Sequence, residues 1–121
     1  MDWVACRELS TAALGRLAEE RACRFLQAQG ISILARNLVL DAGEIDILAR
    51  IGGERTLMEV RSTRTRAGAT WPPPQTLAAF DYQKAQQVRR MARRSRCVRI
   101  DVIAVRFHEA GIDLHWVPRA V

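Results

Sequence analysis

Asp46, in Gly43-Glu44-Ile45-Asp46, and Glu59, followed by Val60-Arg61, are acidic residues placed where they could share a divalent cation. The stretches Glu44 to Ile51 and Arg55 to Ser62 alternate in polarity around Gly52-Gly53, a strong hairpin signal. A hairpin symmetric about the two glycines pairs Asp46 with Glu59, Glu44 with Arg61, Leu48 with Leu57 and Arg50 with Arg55, all on one face. Ile45, Ile47, Ala49, Met58 and Val60 then form an apolar face suited to a core. Carboxylates directly opposite each other destabilise a sheet by up to about 1 kcal/mol, so a positive group is expected between them. Magnesium fits, because it takes one or two carboxylates together with waters and phosphate oxygens. Arg61 is the competing cation and would instead bridge Glu44 and Glu59 as ordinary surface ion pairs.

Two helices must bring further groups to such a site. From Ser10, a plausible N-cap, to Gly30, a C-terminal stop, Leu14, Leu17, Ala18, Ala22, Phe25 and Leu26 recur at helical spacing. Around this helix Glu19 falls at the edge of the apolar stripe, within reach of a sheet, and Glu20 falls on the opposite side. A second helix, from Gln75 or Asp81 to Arg94, has an inward face marked by Phe80, Val88, Met91 and Ala92, and Lys84 lies within it. The alternative for Lys84 is a stem packed on apolar surface with its ammonium in water, and for Glu19 a solvated boundary position. Arg89, Arg90, Arg93 and Arg94 gather on the far side, either as a solvated face or as a surface that tracks phosphates.

Lys84 is the one lysine among 19 basic residues, and the formal charge is +6 with a pI near 10.5. An excess of arginine favours partners that present phosphates, nucleic acid among them, over generic acidic surfaces, with solubility as the alternative role for the charge. The segment Thr63 to Pro74 carries Arg64, Arg66, Trp71 and three prolines, reads as an irregular loop, and is the expected seat of substrate selectivity. Trp71 and Tyr82 offer rings for base stacking or for plain packing. Cys6, Cys23 and Cys97 lack the spacing of a disulfide framework or a zinc site and read as structural thiols. The N-terminal residues lack the pattern of a signal peptide and no stretch reaches membrane-spanning length, which points to a cytoplasmic protein.

The 121 residues suit a single domain spanning 1–121, half of it hydrophobic and so able to form a core. Ile31 to Ala35 reads as a strand and Asn37 as a turn, with Val98 to Phe107 and Ile112 to Val117 as later strands. The long crossover through the second helix makes the Val98 strand parallel to the Arg55 strand, so the fold class is α/β, a mixed sheet with helices packed on it.

In this order, Gly15 with Ala18-Glu19 and Ala22, Phe25-Leu26, Arg36-Asn37, Gly43-Glu44-Ile45-Asp46-Ile47, Glu59-Val60, Lys84 and Arg99-Ile100-Asp101-Val102 resemble the YraN-like family of small bacterial proteins. That family is similar to archaeal Holliday-junction resolvases and to the PD-(D/E)XK nuclease superfamily. The resemblance implies a restriction-endonuclease-like fold in which Asp46 and Glu59 hold Mg2+ or Mn2+, the Val60 carbonyl adds a ligand, and Glu19 contributes from the helix. It also implies a lysine two residues after the glutamate, where this chain has Arg61. Arginine cannot act as a base, but its paired donors can stabilise charge on phosphate. The family's Glu-Val-Lys-Thr-Arg run is altered to Glu59-Val60-Arg61-Ser62-Thr63-Arg64.

Three expectations follow. The chain is a metal-dependent endonuclease acting on DNA, branched DNA included, with Asp46, Glu59, Glu19, Lys84 and Arg61 as its catalytic set. Alternatively it binds nucleic acid without cutting, or it serves as an interaction domain for an acidic partner. A homodimer would suit a two-fold symmetric junction.

Overall fold

A computed structural model of the protein describes residues 3–66, 68 and 82–121. Two helices lead, α1 (Trp3–Glu8) and α2 (Thr11–Ala28), followed by β1 (Ser32–Leu40), β2 (Gly43–Ile51), β3 (Glu54–Arg64), α3 (Tyr82–Arg94), β4 (Arg99–His108) and β5 (Gly111–Val117). The strands form one sheet in the order β1-β2-β3-β4-β5. Only the β3–β4 junction is parallel; the other three are antiparallel. Phe80 and Trp71 lie outside the described residues.

α2 starts where Ser10 accepts a hydrogen bond from the Ala13 N–H, and the chain leaves it through Gly30 at φ 78°. Leu14, Ala18, Ala22 and Leu26 recur on one face and are buried. They close a core over Ile47, Ala49, Met58, Ile103, Val105 and Phe107 on one side of the sheet. On the other side Val88, Met91 and Ala92 of α3 cover Ile45, Leu48, Leu57 and Ile100. The result is a mixed α/β architecture, a five-stranded sheet flanked by helices and consistent with a restriction-endonuclease-like fold.

The C-terminal strand is fastened through Asp101, which has no exposed surface. Its carboxylate accepts from Arg99 twice, from Trp116 Nε1 at 2.8 Å and from the Arg119 N–H at 3.0 Å. A buried carboxylate is tolerable only when it is paired and saturated with donors in this way. All three cysteines are free, two of them buried, and burial pushes the thiols of Cys23 and Cys97 up.

Two sequence expectations need correcting here. Asn37 is not a turn between elements; it sits inside β1 at φ 50°, and pairing with β2 continues on both sides of it. Asparagine tolerates the left-handed region, so the strand is kinked there without ending. Arg64 is not a loop residue, because β3 runs on beside its parallel partner to the Arg64 and Phe107 pair. Its guanidinium bonds the carbonyls of Arg7 and Leu9, holding the end of α1.

Candidate functional site

The hairpin has the register read from the sequence: Leu48 faces Leu57 and Arg50 faces Arg55 around Gly52 and Gly53, both at positive φ. The ladder ends at Ile47 and Met58, one step short of Asp46 and Glu59. In a continued antiparallel ladder the Val60 N–H would face the Ile45 carbonyl. Here it donates to Asp46 Oδ2 at 2.9 Å, so a side chain satisfies the backbone donor where the strands part.

The parting has a counterpart in β2 and in its other neighbour, β1. Ile45 and Leu48, three residues apart, both pack under α3, whereas Ile47 packs under α2. Strict alternation would have put Ile45 with Ile47, which was the sequence expectation; the strand twists through Asp46 instead. β1 loses its alternation at the same place, its register having shifted just before, between Ile33 and Ala35: Ala35 and Leu38, the partners of Leu48 and Ile45, also pack under α3 with Arg36 and Asn37 between them. Gly43 anchors the other end of the bend. Its φ is 146°, and a Cβ there would stand 2.5 Å from Gln87 Nε2 and 3.2 Å from Met91 Sδ of α3. Gln87 in turn donates to the Ala42 carbonyl at 2.8 Å, so α3 is docked on the β1–β2 turn.

That docking carries Lys84 to the gap. Its Nζ lies 3.2 Å from Glu59 Oε1, and Glu59 is only 7% exposed. Burial, and next the neighbouring Glu59 carboxylate, push the Asp46 carboxyl from 3.8 up to about 7. Glu19 adds to the rise, and the Val60 N–H and the Lys84 ammonium oppose it. Asp46, Glu59, Glu19 and Lys84, drawn from four elements, β2, β3, α2 and α3, are thus electrostatic neighbours. Glu19 accepts from Asn37 Nδ2 at 2.6 Å. Glu20, expected to point away, instead meets the sheet: Arg36 Nη2 lies 2.9 Å from it because α2 leans over β1. The sequence marks Asn37 as a turn and as part of a motif, not as a partner of Glu19; the signal that could have singled it out is an asparagine in the middle of an extended run.

The remaining residues divide clearly. Arg61 follows Glu59 by two positions in β3 and pairs with Ala104 of β4. Arg89, Arg90, Arg93 and Arg94 are exposed on the outer side of α3, where Arg94 also pairs with Asp41 at 2.7 Å. Arg66 is exposed beyond the end of β3 and its carbonyl accepts from Arg106. Arg64 is held against α1 and is not brought to the carboxylates. A cavity of about 470 Å³ lies elsewhere, between α2 and the β4–β5 turn, lined by Arg21, Arg24, Phe107 and His108 among others.

Among the described residues no group of three or more histidine, cysteine, aspartate or glutamate side chains stands ready-made around one point. Glu59 is turned to Lys84 and Glu19 to Asn37. The donor set is nonetheless all oxygen, and a carboxyl held at about 7 beside a second carboxylate is one that a divalent cation would relieve. In chemical type these residues fit Mg2+ or Mn2+.

Comparison with known proteins agrees with a single family. The family model described as "Uncharacterised protein family UPF0102" matches residues 18–105, which include Glu19, Asp46, Glu59 and Lys84, and the chain belongs to this family. A UPF0102 protein of Halorhodospira halophila is 38% identical over 110 residues, covering 85% of this chain and 82% of that protein. One from Solibacter usitatus is 34% identical over 108 residues, covering 87% and 78%. A third, from Pelobacter propionicus, is 36% identical over 104 residues, covering 80% and 73%. Among the described residues no helix is long and apolar enough to cross a membrane.

Proposed function

We propose that the protein is a Mg2+- or Mn2+-dependent endonuclease-like domain that acts on DNA phosphodiesters, branched DNA among them. The observation that carries this reading is the ammonium of Lys84 at 3.2 Å from Glu59, beside an Asp46 carboxyl raised to about 7. In this reading Asp46 and Glu59 hold the ion, with the Val60 carbonyl and Glu19 as further ligands. The ion would supply Lewis-acid chemistry, neutralising charge on the phosphate and acidifying water. In this reading Lys84 would stabilise the negative charge that develops on a phosphate oxygen, the task the resemblance gives to the strand position held here by Arg61. Arg61 adds fixed positive charge through paired donors and takes no proton. The likeness to archaeal resolvases and the basic outer face of α3 support DNA as the partner.

The reading is tested by incubating the protein with labelled branched and linear DNA in Mg2+ or Mn2+. Cleavage is expected, with loss in Asp46→Ala. No cleavage of any substrate, or cleavage undiminished in that variant, removes the hydrolase.

A second reading is favoured by one observation, the arginine at the position of the usual lysine. It makes the protein a nucleic-acid-binding module without catalysis. It predicts affinity that falls steeply with salt and hardly changes in Asp46→Ala.

A further inference from the structure

The chain reaches Glu19 through a residue in the left-handed region. Asn37 has φ 50° in the middle of β1, where a strand residue would normally extend, and glycine would take that conformation most easily. Alternation would also send Asn37 and Arg36 to opposite faces. Both instead reach α2: Arg36 Nη2 to Glu20 at 2.9 Å, and Asn37 Nδ2 to Glu19 Oε2 at 2.6 Å. Arg36 pairs with Ile47 and Leu38 with Ile45, so Asn37 stands across from Asp46, where β2 also loses its alternation. A side chain is retained at a position whose backbone suits glycine, and its one hydrogen bond among the described residues goes to Glu19.

We infer that Asn37 is a positioning residue, its left-handed backbone aiming the side-chain amide so that the Glu19 carboxylate is held over the part of the sheet that carries Asp46 and Glu59. This rests on the metal-site reading above. Asn37 would touch neither ion nor substrate; it acts through Glu19, as residues behind metal ligands do.

Asn37→Gly keeps the backbone conformation accessible and removes only the amide. Wild type, Asn37→Gly, Glu19→Gln and the double variant are compared by Mn2+ titration calorimetry, thermal unfolding and crystal structures of the metal-free proteins. Asn37→Gly should melt within about 4 °C of wild type. Its Mn2+ affinity should fall about tenfold, as should that of Glu19→Gln, with no further loss in the double variant. In its crystal structure the Glu19 carboxylate should leave β1. An unmoved Glu19, or additive losses in the double variant, overturns the assignment. Wild-type protein that takes up no Mn2+, or takes it up equally well as Asp46→Asn, removes the metal reading instead. The Glu19 position in the Asn37→Gly crystals then still decides whether Asn37 positions it.

Discussion

Lys84 Nζ lies 3.2 Å from Glu59 Oε1, so the ammonium beside this carboxylate comes from a helix and not from the strand that carries Glu59. In β3 itself the residue two positions on is Arg61, a permanent cation. One turn further along α3, Gln87 and Val88 fix the height of Lys84: Gln87 bonds the Ala42 carbonyl and Val88 is fully buried. The long stem then reaches the gap between β2 and β3 with its charged end only partly exposed.

Lys84→Met keeps the stem and removes the ammonium. If Lys84 stabilises phosphate charge, cleavage in Mn2+ should fall by about 100-fold or more, while Arg61→Lys should change it less than about tenfold. Single-turnover rates on branched DNA measure both. Wild-type rates in Lys84→Met would remove Lys84 from the chemistry.

Asp46 gives the protein a pH dependence with a definite sign. Its carboxyl titrates at about 7 when folded and near 3.8 when unfolded. Between those values the folded protein keeps a proton that the unfolded chain has released, so stability falls as pH rises from about 4 to about 7. The loss is on the order of a few kcal/mol, reduced by whatever solvent reaches the site. Asp46→Asn still accepts from the Val60 N–H and cannot titrate. Its stability should therefore be flatter across that window and should exceed that of wild type at about pH 8. Urea midpoints without divalent ions measure this, and parallel curves for the two proteins would contradict it.

How much of this could be read from the residues follows from where local rules hold. Gly52-Gly53 and the alternation beside it set the hairpin register correctly, because a two-residue turn leaves one way to pair. The inward placement of Lys84 was legible because Val88, Met91 and Ala92 mark a helical face. Alternation failed at Ile45 because twist at Asp46 turns the strand, and only β1 and α3 packed against it reveal that. Asn37 read as a break because propensity does not say that neighbouring pairs will hold a left-handed residue inside a strand. Arg64 was misplaced for a similar reason: the length of β3 is set by its parallel partner 43 residues later.

The docking of α3 on the β1–β2 turn should be sensitive to a single methyl group. Gly43→Ala puts a Cβ against Gln87 and Met91 at a φ that side chains rarely adopt. A loss of about 2–3 kcal/mol is expected, from backbone strain and overpacking together. Equilibrium urea unfolding measures it. Unchanged stability would mean that the turn and α3 are not in contact in solution, and Lys84 would lose its support with them.

The outer face of α3 separates binding from chemistry. Arg89, Arg90, Arg93 and Arg94 are exposed, and only Arg94 has an ion-pair partner among the described residues, Asp41. If they meet phosphates, replacing all four with glutamine removes up to four counterion-releasing contacts. The slope of log affinity against log salt for duplex DNA should then flatten by roughly 2–4 units. Because these side chains lie away from the α3 face that packs on Ile45, Leu48 and Leu57, thermal stability should change little. The same slope in both proteins would place the DNA elsewhere. A flattened slope with single-turnover cleavage retained at saturating protein would show that this face recruits DNA while Asp46, Glu59 and Lys84 act on it. Loss of both would mean that the face also orients the scissile phosphate.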